Sequence, residues 1–254
     1  MIINDSTPSD VLFPRDLGRG LDLGLRGPED YAYGATADPF PASLLIPRSE
    51  WQARIKEREE RGLTLRGRLK AAGWKVKDQQ RTNYCWINAP TASLEITRIA
   101  QNQRPVVLSP ASGGGPIKGF RNVGGWGKEA LEWIVERGLV PVDRWPANAI
   151  DRSYYTVENQ SLALNYRVVE WWELQPRNLD QLISCLLLGI PVPVGYSWWS
   201  HEVTAVDAVW MDGTVAIWIA NSWGEAWGET GYGAIQGSRM LPDDAVAPRT
   251  AIPA

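Results

Sequence analysis

The chain has 254 residues, 44% of them hydrophobic and 22% charged, with a formal net charge of −3. That length and composition can bury a sizeable core, as one large domain or as two lobes. The weak negative charge gives no electrostatic reason to expect nucleic acid or an anionic membrane as partner. Two cysteines allow at most one disulfide, a sparse usage that leans towards a reducing compartment or an assembled particle. No basic, apolar leader opens the sequence, and no apolar run reaches the roughly 20 residues that span a bilayer. The expectation is a soluble protein, not classically exported, in the cytoplasm or within an assembled particle.

Residues 1–48 are dense in Pro, Gly and Asp and carry no apolar period of either helix or strand. Arg19-Gly20 and Gly27-Pro28 punctuate this stretch, and Pro39, Pro41 and Pro47 forbid regular helix or central strand. It reads as an extended N-terminal arm before a domain at 49–254. Such an arm is either a surface-draped tail or a strap that orders against a partner or across the protein's own groove.

Ser49-Glu50-Trp51-Gln52 has capping-box spacing and predicts a charged helix to Arg61, stopped by Gly62. A second helix is expected over 64–72, and a third from Cys85 to about 101. Residues 113–116, Gly-Gly-Gly-Pro, and 124–127 read as loops, with a helix over 128–137 closed by Gly138. Asn178 caps a predicted helix through 188. Strand-like runs follow at 192–199, 203–211, 214–220 and 231–235, and Asp212-Gly213 signals a two-residue hairpin. Helices dominate to about 140 and an antiparallel sheet dominates about 165–240. The expected fold is therefore α+β with two lobes, and a cleft between lobes is a natural site.

Cys85 stands at the start of a predicted helix, where the helix dipole and unsatisfied N–H groups favour thiolate. An imidazolium would favour it further, and His201 is the only histidine. Asn221 follows the hairpin partner of the His201 strand, so its side-chain oxygen could orient the imidazole. Gln79 could offer an N–H to a developing oxyanion beside the Cys85 amide. The plainer reading of Cys85 is a small buried apolar residue. Cys185, among Leu182, Ile183 and Leu186, is a core residue on this reading. One histidine with two distant cysteines makes no zinc site, and no cofactor motif is present.

Four segments resemble the C1-type papain-like cysteine peptidases. They are Val76-Lys77-Asp78-Gln79 with Cys85-Trp86; Asn122-Val123-Gly124-Gly125; His201-Glu202-Val203-Thr204-Ala205-Val206; and Asn221-Ser222-Trp223-Gly224 with Trp227-Gly228-Glu229 and Gly231-Tyr232. The resemblance spans about 74–237 in family order. It implies a papain-like fold, with a helical left lobe, a barrel-like antiparallel right lobe and the active-site cleft between them. It makes Cys85 the nucleophile, His201 the acid/base, Asn221 its orienter and Gln79 the oxyanion donor. Gly124, Gly125 and Trp126 would line the substrate cleft, and Trp223 would shield the His–Asn pair.

The sequence departs from the family at Thr82 and Asn83, where a cysteine and a glycine are usual. Asn83 suits a turn needing φ > 0, and Pro90 suits only a first helical turn or a kink. Glu202 replaces a usually small residue; it either borders a substrate pocket, where it favours a basic side chain or blocks the pocket, or points to solvent. The family's inhibitory pro-segment is not recognisable. The resemblance implies an endopeptidase acting through an acyl-enzyme on a peptide or protein substrate. The alternative is a structural or assembly protein, for example a virion component, on the same scaffold with weak or latent activity and a protein partner for the arm.

Overall fold

The architecture comes from a computed structural model that describes residues 1–13, 16–25 and 38–253; the Gly27-Pro28 punctuation lies outside them. In chain order the elements are β1 (Ile2–Ile3), α1 (Ser9–Leu12), β2 (Asp38–Pro39), α2 (Trp51–Glu60), α3 (Leu65–Ala71), α4 (Cys85–Ala100), α5 (Ala111–Ile117), α6 (Gly127–Glu136), α7 (Val157–Ala163), β3 (Val168–Glu173), α8 (Leu179–Leu187), β4 (Val192–Tyr196), β5 (His201–Met211), β6 (Thr214–Ala220), β7 (Tyr232–Ile235) and β8 (Asp244–Ala251). Among these residues no helix is long and apolar enough to cross a membrane.

The strands form an eight-stranded sheet in the order β1-β7-β6-β5-β4-β8-β3-β2. Its centre is antiparallel, and the β5–β6 hairpin turns at Asp212 and Gly213, both with φ > 0, as a primed two-residue turn requires. The sheet is not purely antiparallel as expected. β1 pairs with β7 and β2 with β3 in parallel. Both edge strands belong to the N-terminal arm, so the arm supplies partners for backbone groups that an edge would leave open.

Helix α4 is the spine between helices and sheet. Every residue from Cys85 to Ile99 is buried, the mark of a helix with core on all sides. One flank packs with α6, Leu131 and Ile134; another meets Val206 and Ala220 of the sheet. Thr204 of β5 donates to the Ala89 carbonyl. Pro90 sits in the sixth position and the helix continues through it. Side chains of Asn88, Thr91 and Ser93 donate to main-chain oxygens of Tyr84, Ile87 and Pro90 around that point. Below it, the buried Lys77–Glu95 ion pair is completed by Trp74 Nε1–H, Leu108 N–H and the Leu108 carbonyl.

Several local expectations change. Ser49 does not cap α2; residues Arg48–Glu50 form a 3-10 turn that leads directly into it, with no side-chain cap. The glycines at 113–115 are helical in α5, not a loop. A Cβ on Gly114 would stand 2.6 Å from the Tyr84 ring and one on Gly113 2.8 Å from Leu139, so close approach of α5 to α4 selects glycine there. The positive φ near the cysteine falls on Gln80, not Asn83. Strands β3 and β8 pair together and escaped the sequence reading, because alternation is broken by bulges and by Pro248.

Glu132 of α6 is buried, and neither carboxylate oxygen has a hydrogen-bond partner among the described residues. Burial first, then Glu173 and Glu129 against the favourable Lys128, pushes its carboxyl up to about 7. The folded state therefore holds a proton that the unfolded chain releases, and stability falls as pH rises from about 4.5 to 7. Glu132→Gln should remove that slope. Denaturant titrations at pH 5 and 8 should show the variant gaining about 2–3 kcal/mol on the natural chain over that interval.

Candidate active site

The thiol of Cys85 lies where α4 begins, against the His201–Glu202 end of β5. Backbone N–H groups of Glu202, Gly20 and Trp86 all favour its charged form, and the Gly20 N–H lies 3.1 Å from Sγ. Burial outweighs them. With the Glu202 charge acting in the same direction, the thiol is pushed up to about 12.

His201 is fully buried between aromatic rings. It stacks on Trp223 with centroids 4.4 Å apart and meets the edge of Trp199. Its Nε2–H donates to Asn221 Oδ1 at 2.7 Å, since an amide oxygen can only accept. Nδ1 is buried without a hydrogen-bond partner among the described residues. Burial lowers the imidazole to about 3; Asn221 opposes that shift and Arg19 adds to it. Burial thus opposes both halves of the expected thiolate–imidazolium pair.

Gln79 is held from both ends. Its N–H donates to the Ser222 carbonyl, and Ser222 Oγ–H donates back to its Oε1. This aims Nε2 into the cleft, where it donates to the carbonyls of Gly18, at 3.0 Å, and Thr82. Ser222 escaped the sequence reading as anything but part of a motif, since nothing in its type marks it as a clamp.

The cleft is filled by the arm. Gly18 N–H donates to the Gln80 carbonyl, and the Gly18 carbonyl also accepts from Trp223 Nε1. Two residues on, the Gly20 carbonyl accepts from Gly125 N–H and Asp22 N–H donates to the Gly125 carbonyl, both at 2.9 Å. Leu21 thus forms a parallel bridge with Gly125. A Cβ on Gly124 would stand 2.6 Å from the Gly20 oxygen, and one on Gly125 2.6 Å from the Trp86 ring. Both glycines are there for close approach. On the arm itself, a Cβ on Gly18 or Gly20 would overlap the Thr82 or Asn83 carbonyl oxygen. Read in sequence, Gly20 is only punctuation.

Two further residues complete the picture. Trp126 is buried at the entry to α6. Glu202 is 1% exposed, which removes the solvent-facing reading. Its carboxylate lies against Gly127, where a Cβ could not fit. Both cysteines are free, and Cys185 is buried in the core as expected.

No family model matches the sequence. It is 23% identical, over 84% of its own length and 67% of the other's, to digestive cysteine proteinase 3 of Homarus americanus. Its structure resembles digestive procathepsin L 3 of Tenebrio molitor larval midgut, with TM-score 0.64 and 19% identity over 97% of this chain and 80% of that one. It also resembles xylellain, a cysteine protease from Xylella fastidiosa, with TM-score 0.57 and 22% identity over 70% and 83% of the two chains. The fold is that of the C1-type papain-like cysteine peptidases, an α+β fold in two lobes.

The pH dependence of arm seating follows from His201. Its imidazole is held below the ordinary value, so its contribution is fully present above about pH 6.5 and is lost as pH falls towards 3. Protection of residues 18–22 against hydrogen exchange, corrected for the intrinsic rate, should fall by up to about tenfold per pH unit below 6.5. Flat protection from pH 7.5 to 5 would contradict this.

Proposed function

We propose that the chain is a cysteine peptidase whose cleft is closed by its own residues 16–22. One observation carries the reading. A single extended segment engages the Gly125 backbone, the Gln79 amide and the Cys85 thiol together. A surface that holds a peptide on those three groups can hold a substrate the same way. The arm would then be the latent state, with a neutral thiol and a neutral imidazole.

With the arm displaced, water returns to the cleft and the burial that holds both groups neutral is relieved. His201 Nδ1 takes the Cys85 proton, and Sγ attacks the peptide carbonyl carbon, forming a C–S bond. The carbonyl oxygen, now negative, is held by Gln79 Nε2–H and the Cys85 backbone N–H. The imidazolium gives its proton to the leaving amine as the C–N bond breaks, leaving a thioester. Water then loses a proton to His201 and attacks that carbonyl; the C–S bond breaks and the sulfur recovers the proton. Asn221 keeps the ring in the required tautomer throughout, and Trp223 covers it.

Gly20→Val should unseat the arm, because the added branch has no room beside Asn83. Iodoacetamide at neutral pH should then label Cys85 at least tenfold faster than in the natural chain, with Cys185 unchanged. The same variant should hydrolyse fluorogenic peptide amides. Cys85→Ala should abolish that hydrolysis, and His201→Ala should lower it about 10²–10⁴-fold. Hydrolysis that survives Cys85→Ala would refute the reading.

A further inference from the structure

A recess opens on the helical side of the molecule, and none of its lining residues belongs to the site around Cys85. It holds about 250 Å³ between the end of α6, the stretch that follows it and α7. The chain draws these segments together at one point. Gly138 ends α6 with φ +71°, and a Cβ there would stand 2.0 Å from the Ala163 carbonyl oxygen. Leu139 N–H donates to the Tyr166 carbonyl beside it. Next to this contact the rings of Trp133, Trp145 and Tyr155 stand along the wall of the recess.

The buried part of that wall offers no spare hydrogen bond at Trp145 or Ser112. Trp145 Nε1–H donates to the Ala149 carbonyl, and the Ser112 hydroxyl donates to the Ser109 carbonyl while accepting from Val140 N–H. Trp145 is also held flat against Tyr154, with centroids 5.7 Å apart. The mouth is different. Val157 is 74% exposed and Leu164 45%, and about two turns apart on α7 they lie on one face of the helix. Arg137 is exposed at the same mouth, and its guanidinium makes no hydrogen bond or ion pair among the described residues.

An aromatic wall with an unpaired cation at its mouth suits a flat ring that carries one negative charge. The ring stacks among the indoles and Tyr155, and the guanidinium meets a carboxylate with two parallel hydrogen bonds. The volume lies at the small end of ligand sites, enough for one molecule of amino-acid size. We infer that this recess is a binding site for a small aromatic carboxylic acid, separate from the peptide cleft. A neutral ring of the same shape leaves Arg137 unanswered, and an aliphatic acid lacks the face that stacks. The site holds whether or not the chain is a peptidase.

Indole-3-acetate, its neutral counterpart indole-3-acetamide, and hexanoate are titrated into the full chain by isothermal calorimetry. The indole acid should bind at a single site about tenfold or more tightly than the amide, as one charge-assisted hydrogen bond is enough to produce. Hexanoate, with the charge but no ring, should also be the weaker ligand. Added salt should weaken the indole acid and leave the amide unchanged.

Arg137→Gln should bring the indole acid and its amide to similar affinity, without lowering the thermal midpoint, because Arg137 supports no other group. Arg137→Lys should keep part of the preference, since it keeps the charge and loses the fork. Absence of saturable binding by the indole acid overturns the site. So does equal affinity for acid and amide, hexanoate binding as tightly as the indole acid, or a preference that survives Arg137→Gln.

Discussion

Everything in the site depends on a helix that has no solvent face. Helix α4 is buried from Cys85 to Ile99, so its first residue cannot shift without disturbing both the helices and the sheet around it. That immobility places the thiol at the end of β5. The same strand fixes His201, and the neighbouring β6 leads straight into Asn221. The price is a dry environment, which disfavours both the thiolate and the imidazolium.

The arm adds the last layer of that dryness, and its grip is almost entirely backbone. Gly18 and Gly20 let main-chain atoms reach the Gln79 amide, the Trp223 indole and the Gly125 peptide. These are the groups to which a substrate would be presented. Leu17 packs against the core and Leu21 lies beside Gly195, so side chains enter recesses on either side of these glycine contacts. Recognition by backbone and recognition by side chain are thus separated along only a few residues.

Much of this was legible in the sequence. Cys85, His201, Asn221 and Gln79 could be picked out because each needs a particular chemistry at a particular place, and the hairpin at Asp212-Gly213 brings β5 and β6 together. The helices with clear caps, such as the one Asn178 caps, also read correctly. What failed did so for tertiary reasons. A run of three glycines became helical because α5 must lie close to Tyr84 and Leu139, a demand no local propensity expresses. Strand β8 depends on pairing with β3 and β4, well upstream in the chain. The course of residues 16–25 through the cleft is set by surfaces formed far downstream, so their composition alone read as an irregular arm.

The two ends of that arm are woven into opposite margins of the sheet, through β1 beside β7 and β2 beside β3. The segment in the cleft is therefore tethered on both sides. Its local concentration at the thiol is set by chain geometry, in the millimolar range for a short tether, and dilution leaves it unchanged. A free peptide must compete against that standing concentration. A single nick elsewhere in the arm would leave the occupant attached to one sheet margin, so chain cleavage and cleft opening are separable events.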